Sequence, residues 1–70
     1  MPSMLRRTFA RNLRKLRTAK GLSQEALGDA AGLDRTYISA LEREVYSASL
    51  DTIEKIAAVL SVSAVDLLTE

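Results

Sequence analysis

Leu22-Ser23-Gln24-Glu25-Ala26-Leu27-Gly28-Asp29-Ala30-Ala31-Gly32-Leu33-Asp34-Arg35-Thr36-Tyr37-Ile38-Ser39-Ala40-Leu41-Glu42-Arg43 decides the fold. Ser23 is a good N-cap, so a helix should run from Gln24 to about Ala31. Gly32 then supplies the positive φ that a tight turn requires. Leu33 turns inward, and Asp34 caps a second helix that runs to about Arg43 or Glu44. Leu27, Leu33, Ile38 and Leu41 give both helices apolar anchors into one core. Gly28 sits one turn before the bend, where a large side chain would collide with the second helix of the pair.

The outer face of that second helix is unusual. It carries Arg35, Thr36, Tyr37, Ser39, Ala40 and Arg43, where an ordinary solvent face would be rich in Glu, Lys and Gln. Arginine can donate two hydrogen bonds to guanine O6 and N7, and threonine can bond a base edge or lay its methyl on that of thymine. Tyr37 can donate to a phosphate or stack on a sugar, or its ring can pack into the core. Ser39 and Ala40 are small, which lets a helix approach a groove closely. These features predict a helix-turn-helix whose second helix enters the major groove of DNA. Gln24 opens the first helix beside free N–H groups, a natural phosphate site, with a solvated surface glutamine as the alternative.

Working outward, Leu5, Phe9, Leu13 and Leu16 form a helical stripe that predicts helix one, ending near Lys20-Gly21. After a short loop, Ser49 caps a fourth helix that buries Ile53, Ile56, Ala57 and Leu60. Ser63 with Asp66 resembles a capping box and starts a short fifth helix. No stretch alternates with period two, so the expectation is an all-α, compact five-helix fold in a single domain over residues 1–70.

Seventy residues bury a modest core. The absence of cysteine excludes disulfides and cysteine–zinc sites, and the absence of histidine removes the commonest general base and metal ligand. No nucleophile–base set or phosphate-cradling loop is recognisable, so neither an enzyme nor a cofactor or metal is expected. No apolar run approaches a membrane span and no signal peptide is recognisable, which predicts a cytoplasmic protein with no membrane partner. Net charge is only +1, but seven of the ten basic residues fall in the first twenty positions and all nine acids follow Ser23. Arg7, Arg11 and Arg14 point nearly opposite Phe9 on a helix, so they read as a solvated face that adds a long-range positive field.

The chain resembles the phage-repressor-like (Xre-type) helix-turn-helix family over nearly its whole length. The resemblance is carried by Gly21-Leu22-Ser23-Gln24-Glu25-Ala26-Leu27, Gly32-Leu33, Tyr37-Ile38-Ser39 with Leu41-Glu42-Arg43, and the stretches Leu50 to Leu60 and Val62 to Leu68. Leu33 to Ser39 looks particularly like the controller proteins of restriction–modification systems. The resemblance implies a lambda-repressor-like fold, a phosphate contact at Gln24, and a groove-facing set at Arg35, Thr36, Tyr37, Ser39 and Ala40. It places Arg43 near the backbone and implies a structural ion pair between Arg17 and Glu42. Controllers commonly carry a basic residue and asparagine in the loop that follows, where Tyr46 and Ser47 stand here; both can still bond phosphate. The family also has glycine or asparagine after the positions of Glu42-Arg43. Glu44 stands there, which predicts a different end to the third helix.

The function expected is a sequence-specific transcriptional regulator, binding double-stranded DNA as a homodimer with half-sites about 34 Å apart. Val65, Leu67 and Leu68 crowd into four positions beside Val62 and Ala64, more than one small core hides. Related domains form their two-fold contact there, so these five residues are the expected dimer seam. RNA polymerase is a further candidate partner. The alternatives are the antitoxin of a toxin–antitoxin pair, disfavoured because no tail is seen to wrap a toxin, and a protein-interaction module that no longer binds DNA.

Overall fold

The computed structural model describes residues 4–70. The elements are α1 (Met4–Ala19), α2 (Gln24–Ala31), α3 (Arg35–Glu42), α4 (Leu50–Leu60) and α5 (Ala64–Leu68). Among the described residues no strand forms. The N-caps are those the sequence predicts. Ser23, Asp34, Ser49 and Ser63 each accept a backbone N–H of the first helical turn, and Ser63 with Asp66 completes a reciprocal capping box.

One core joins all five helices. Phe9 and Leu13 of α1, Leu27 of α2, Ile38 and Leu41 of α3, Ile53, Ile56 and Leu60 of α4, and Leu67 of α5 are buried together. Helix α1 packs on α3 and α5, and α2 packs on α3 and α4. Leu5, expected to continue the buried stripe, is instead exposed. It lies at the start of α1, on the rim of a cleft shared with Phe9, Leu50, Ile53 and Leu68. Removing a buried leucine such as Leu13, Leu27 or Leu41 should cost about 2–5 kcal/mol through lost transfer energy and the cavity left behind.

The first four helices end in one way. After each, a residue with positive φ is followed by an apolar residue whose N–H reaches back five positions. The bonds are Leu22 to Arg17 O, Leu33 to Gly28 O, Val45 to Ala40 O and Val62 to Ala57 O, at 2.7–3.0 Å. This is the Schellman arrangement. Glycines 21 and 32 supply two of the left-handed positions, but Glu44 (φ 63°) and Ser61 (φ 59°) supply the others. The expectation that Glu44 would end α3 differently is therefore corrected. The turn is kept against the Cβ penalty, because Val45 and the carbonyls of α3 gain their partners only in this conformation.

Helix α2 meets the turn so closely that Gly28 has no alternative. A Cβ there would lie 2.5 Å from the Leu33 carbonyl oxygen. The constraint is the turn backbone rather than a side chain of α3, and it applies even to alanine.

Candidate nucleic-acid interface

The outer face of α3 is built on a strut. Arg17, buried near the end of α1, donates from Nε to Glu42 Oε2 at 2.6 Å and from Nη2 to Glu42 Oε1 at 3.0 Å. Its Nη1 donates to the Leu22 carbonyl at 2.8 Å. The hydrogen bond with Glu42 raises the Arg17 pKa, burial opposes it, and the charge of Glu42 raises it further. This fork ties the end of α1, the start of α2 and the last turn of α3 to one guanidinium.

Gln24 belongs to the same cluster. It is half-buried, and its Nε2 donates to Glu42 Oε1 at 3.2 Å. Gln24 is thus not simply solvated. One amide proton is committed to the strut, which leaves the second for another acceptor. Arg35 is exposed and lines one depression with Arg17, Ser23, Gln24 and Glu25. The arginine in the first turn of α3 therefore stands beside the N-terminus of α2.

Further along, Thr36 and the C-cap residue Arg43 are exposed and Ser39 is half-buried. Arg43 Nε donates to Ser39 Oγ at 3.3 Å, so the two hold each other one turn apart. Asp34 Oδ1 accepts the Thr36 N–H at 2.7 Å and is also hydrogen-bonded to the Thr36 hydroxyl. These bonds, the hydroxyl's first, hold the Asp34 carboxyl below its ordinary pKa.

Of the two roles open to Tyr37 in the sequence, the structure shows packing against the core. Tyr37 is half-buried there, and its ring lies 6.3 Å from that of exposed Tyr46, tilted by 32°. Thr36, Tyr37, Ala40, Arg43, Val45 and Tyr46 line a shallow notch beside α3. Ala40 corrects the sequence reading. Expected on the outer face, it is 4% exposed. The Schellman turn brings Val45 back over α3, with its N–H on the Ala40 carbonyl, so Ala40 lies at the floor of the notch. Ser47 is exposed but is not brought into the notch; its hydroxyl accepts from Arg6 Nε at 2.9 Å. Val45, the Asp34–Thr36 bond, the Gln24–Glu42 bond and the Tyr37–Tyr46 pair are site features that the sequence did not reveal. An apolar residue three places past the end of α3 was the available signal for Val45.

A helix-turn-helix family model matches residues 13–67. This chain belongs to the Xre-type helix-turn-helix family. A hypothetical transcription factor of Neisseria meningitidis serogroup B is 52% identical over 64 residues, covering 91% of this chain. The chain spans 60% of that relative's length. Control protein C.BamHI of Bacillus amyloliquefaciens is 44% identical over 69 residues, covering 97% of this chain and 85% of the relative. The crystal structure of the restriction-modification controller protein C.AhdI from Aeromonas hydrophila matches with a TM-score of 0.85 and 45% identity, covering 89% of this chain and 94% of that one. Like these relatives, this Xre-type chain carries the fold of DNA-binding transcription regulators. Among its described residues no helix is long and apolar enough to cross a membrane.

The expected dimer seam divides. Val65 is exposed and Leu68 is half-buried, whereas Val62 and Ala64 are partly buried against the core. Leu67 is fully buried and cannot serve in a seam. Helix α5 turns Leu67 inward against α1, where the Asn12 carboxamide donates to the carbonyls of Leu67 (3.0 Å) and Thr69 (2.8 Å). Leu50 and Leu5, both exposed, lie around the same cleft as Leu68 and enlarge the apolar surface there.

Proposed function

We propose that this protein is a sequence-specific regulator that binds a pseudo-palindromic operator as a homodimer, in the manner of a restriction–modification controller. Residues 1–70 act as one DNA-binding domain, in the cytoplasm. The observation that carries the reading is the row Arg35, Thr36, half-buried Ser39 and Arg43 along α3 and its C-cap, anchored at the end of the helix by the sheltered Arg17–Glu42 ion pair. A rigid helix that presents hydrogen-bonding groups instead of a generic charged surface suits base edges in the major groove.

In this reading Arg35 and Thr36 contact bases and Ser39 supports them. Gln24, Arg43, Tyr37 and Tyr46 hold the backbone. Ser47 is a weaker phosphate candidate, because Arg6 already engages it. The Cα trace extends at most 32 Å, about one turn of duplex, so two subunits are needed to read two successive grooves. The seam is formed by Val65 and Leu68 with Leu50 and Leu5. An activating role would add RNA polymerase as a partner.

Selection of bound sites from random duplexes tests this. The expected product is an inverted repeat with half-site centres about 10 base pairs apart, bound with strong salt dependence. A chain with no salt-dependent affinity for any duplex would instead be a protein-interaction module.

A further inference from the structure

Thr36 stands in the first turn of α3 and is exposed. A free threonine hydroxyl has one proton to give and lone pairs with which to accept. Here that choice has already been made. Asp34 Oδ1, which accepts the Thr36 backbone N–H at 2.7 Å, also holds the Thr36 hydroxyl. An ionised carboxylate can only accept, so the hydroxyl is the donor in that bond. What Thr36 has left to offer a base is an oxygen lone pair and a methyl group.

We propose that Thr36 reads DNA in one direction only. It accepts from an exocyclic amine, adenine N6 or cytosine N4, and discriminates against thymine O4 and guanine O6. The proposal rests on the reading that α3 enters the major groove. There, adenine and cytosine present an amino donor where guanine and thymine present a carbonyl acceptor. An acceptor set against an acceptor leaves both without a proton and stripped of water. Asp34 is then a positioning residue, setting the polarity of Thr36 without touching DNA.

The neighbouring groups have the opposite polarity. Arg35 can only donate. Ser39 Oγ accepts from Arg43 Nε at 3.3 Å, which leaves its own proton to give. The row therefore sets one acceptor beside donors, so the base facing Thr36 must present an amine while the edges facing Arg35 and Ser39 present acceptors.

The test uses the best operator from site selection, with single adenines replaced by purine lacking the 6-amino group and single cytosines by 2-pyrimidinone lacking the 4-amino group. The proteins are wild type, Thr36→Val, which keeps the shape and removes the oxygen, and Asp34→Gly, since glycine is a serviceable N-cap. Circular dichroism checks folding. At one position per half-site, deleting the amine should weaken wild type on the order of fivefold, the size of one net hydrogen bond. The same deletion should leave Thr36→Val unchanged, the signature of a coupled pair. Asp34→Gly should gain tolerance for thymine or guanine at that position, read as a preference ratio so that its altered charge cancels. Equal sensitivity of wild type and Thr36→Val at every position overturns the proposal, as does a Thr36→Val loss confined to thymine or guanine positions. Failure of the groove reading is distinguishable: no duplex is enriched, or Arg35→Ala, Ser39→Ala and Thr36→Val all bind the operator as wild type does, and the proposal falls with it.

Discussion

Arg17 and Glu42 form a two-pronged ion pair across twenty-five residues of sequence, with Nε–Oε2 2.6 Å and Nη2–Oε1 3.0 Å. Their side chains are 11% and 5% exposed. A pair this sheltered is a poor source of net stability but a strong constraint, because each charge has been taken from water and has only its partner to balance it, with neutral hydrogen bonds to Leu22 O and from Gln24 beside them. Arg17→Met or Glu42→Leu alone should destabilise the fold by about 3–5 kcal/mol, and the double variant should recover much of the loss. Denaturant unfolding of the four proteins measures this. Small single losses that simply add would mean that the pair carries no constraint. The Glu42 variant should also lower DNA affinity beyond its effect on folding, because Gln24 loses the acceptor that fixes its amide.

Glu44 and Ser61 occupy left-handed positions without being glycine. For an L-residue that conformation costs about 1–2 kcal/mol, set against the extra chain entropy that glycine brings to the unfolded state. Glu44→Gly and Ser61→Gly should each raise stability by up to about 1 kcal/mol. For Glu44 the lost contact is small, since Arg7 Nε lies 3.9 Å away and both side chains are well exposed. Thermal midpoints of the two variants and their combination check it. Unlinked sites should add, and a fall in midpoint for both would contradict the strain argument.

Much of this was legible in the sequence because caps and stripes are local. Ser23, Asp34, Ser49 and Ser63 announce the helix starts, and α4 buries the four residues its period selects. The failures are tertiary. Ala40 has an outward position in a helical projection, yet the chain returning through Val45 covers it. Leu67 belongs to an apolar cluster too dense for one face, and only the packing of α5 on α1 shows which of its members turns inward. The Tyr37–Tyr46 pair and the Gln24–Glu42 bond join residues from different elements, so no spacing rule reveals them. Glu44 shows the opposite case. The backbone bonds of the Schellman turn outweigh the side-chain preference that predicted a different ending.

Asp34 makes the start of α3 sensitive to acid. Its pKa is lowered in the folded state by the Thr36 hydroxyl and N–H. A depressed carboxyl contributes stability that is fully present above its unfolded pKa, about 4, and is lost as pH falls through the folded value. The difference in thermal midpoint between wild type and Asp34→Gly should therefore be constant above about pH 5 and shrink below pH 4. A difference that stays flat down to pH 2 would mean that the cap does not depend on the charge.

Arg35 is expected to contact a base. It stands in the first turn of α3 and its fork suits guanine O6 and N7. Arg35→Ala should cost about 1–3 kcal/mol on the best operator and relax preference at one position per half-site. Because Arg35 also borders the depression at the start of α2 with Gln24, a phosphate role is the competing outcome. Equal weakening on all duplexes, with a shallower salt slope, would assign it there.

Assembly gives the last prediction. Val65 is 68% exposed and Leu50 77%, while Leu68 is half-buried beside Leu5 in the cleft between α1 and α4. A two-fold seam brings each substitution in twice. Val65→Glu should therefore split the dimer while leaving the helical fold intact, because the side chain makes no part of the buried core. Leu67→Glu should behave differently and unfold the monomer, since that side chain is fully enclosed. Sedimentation at micromolar concentration, with circular dichroism on the same samples, separates the two. Dimers that survive both Val65→Glu and Leu50→Glu would move the seam elsewhere. A wild-type chain that stays monomeric even on its operator would remove the basis for paired half-sites.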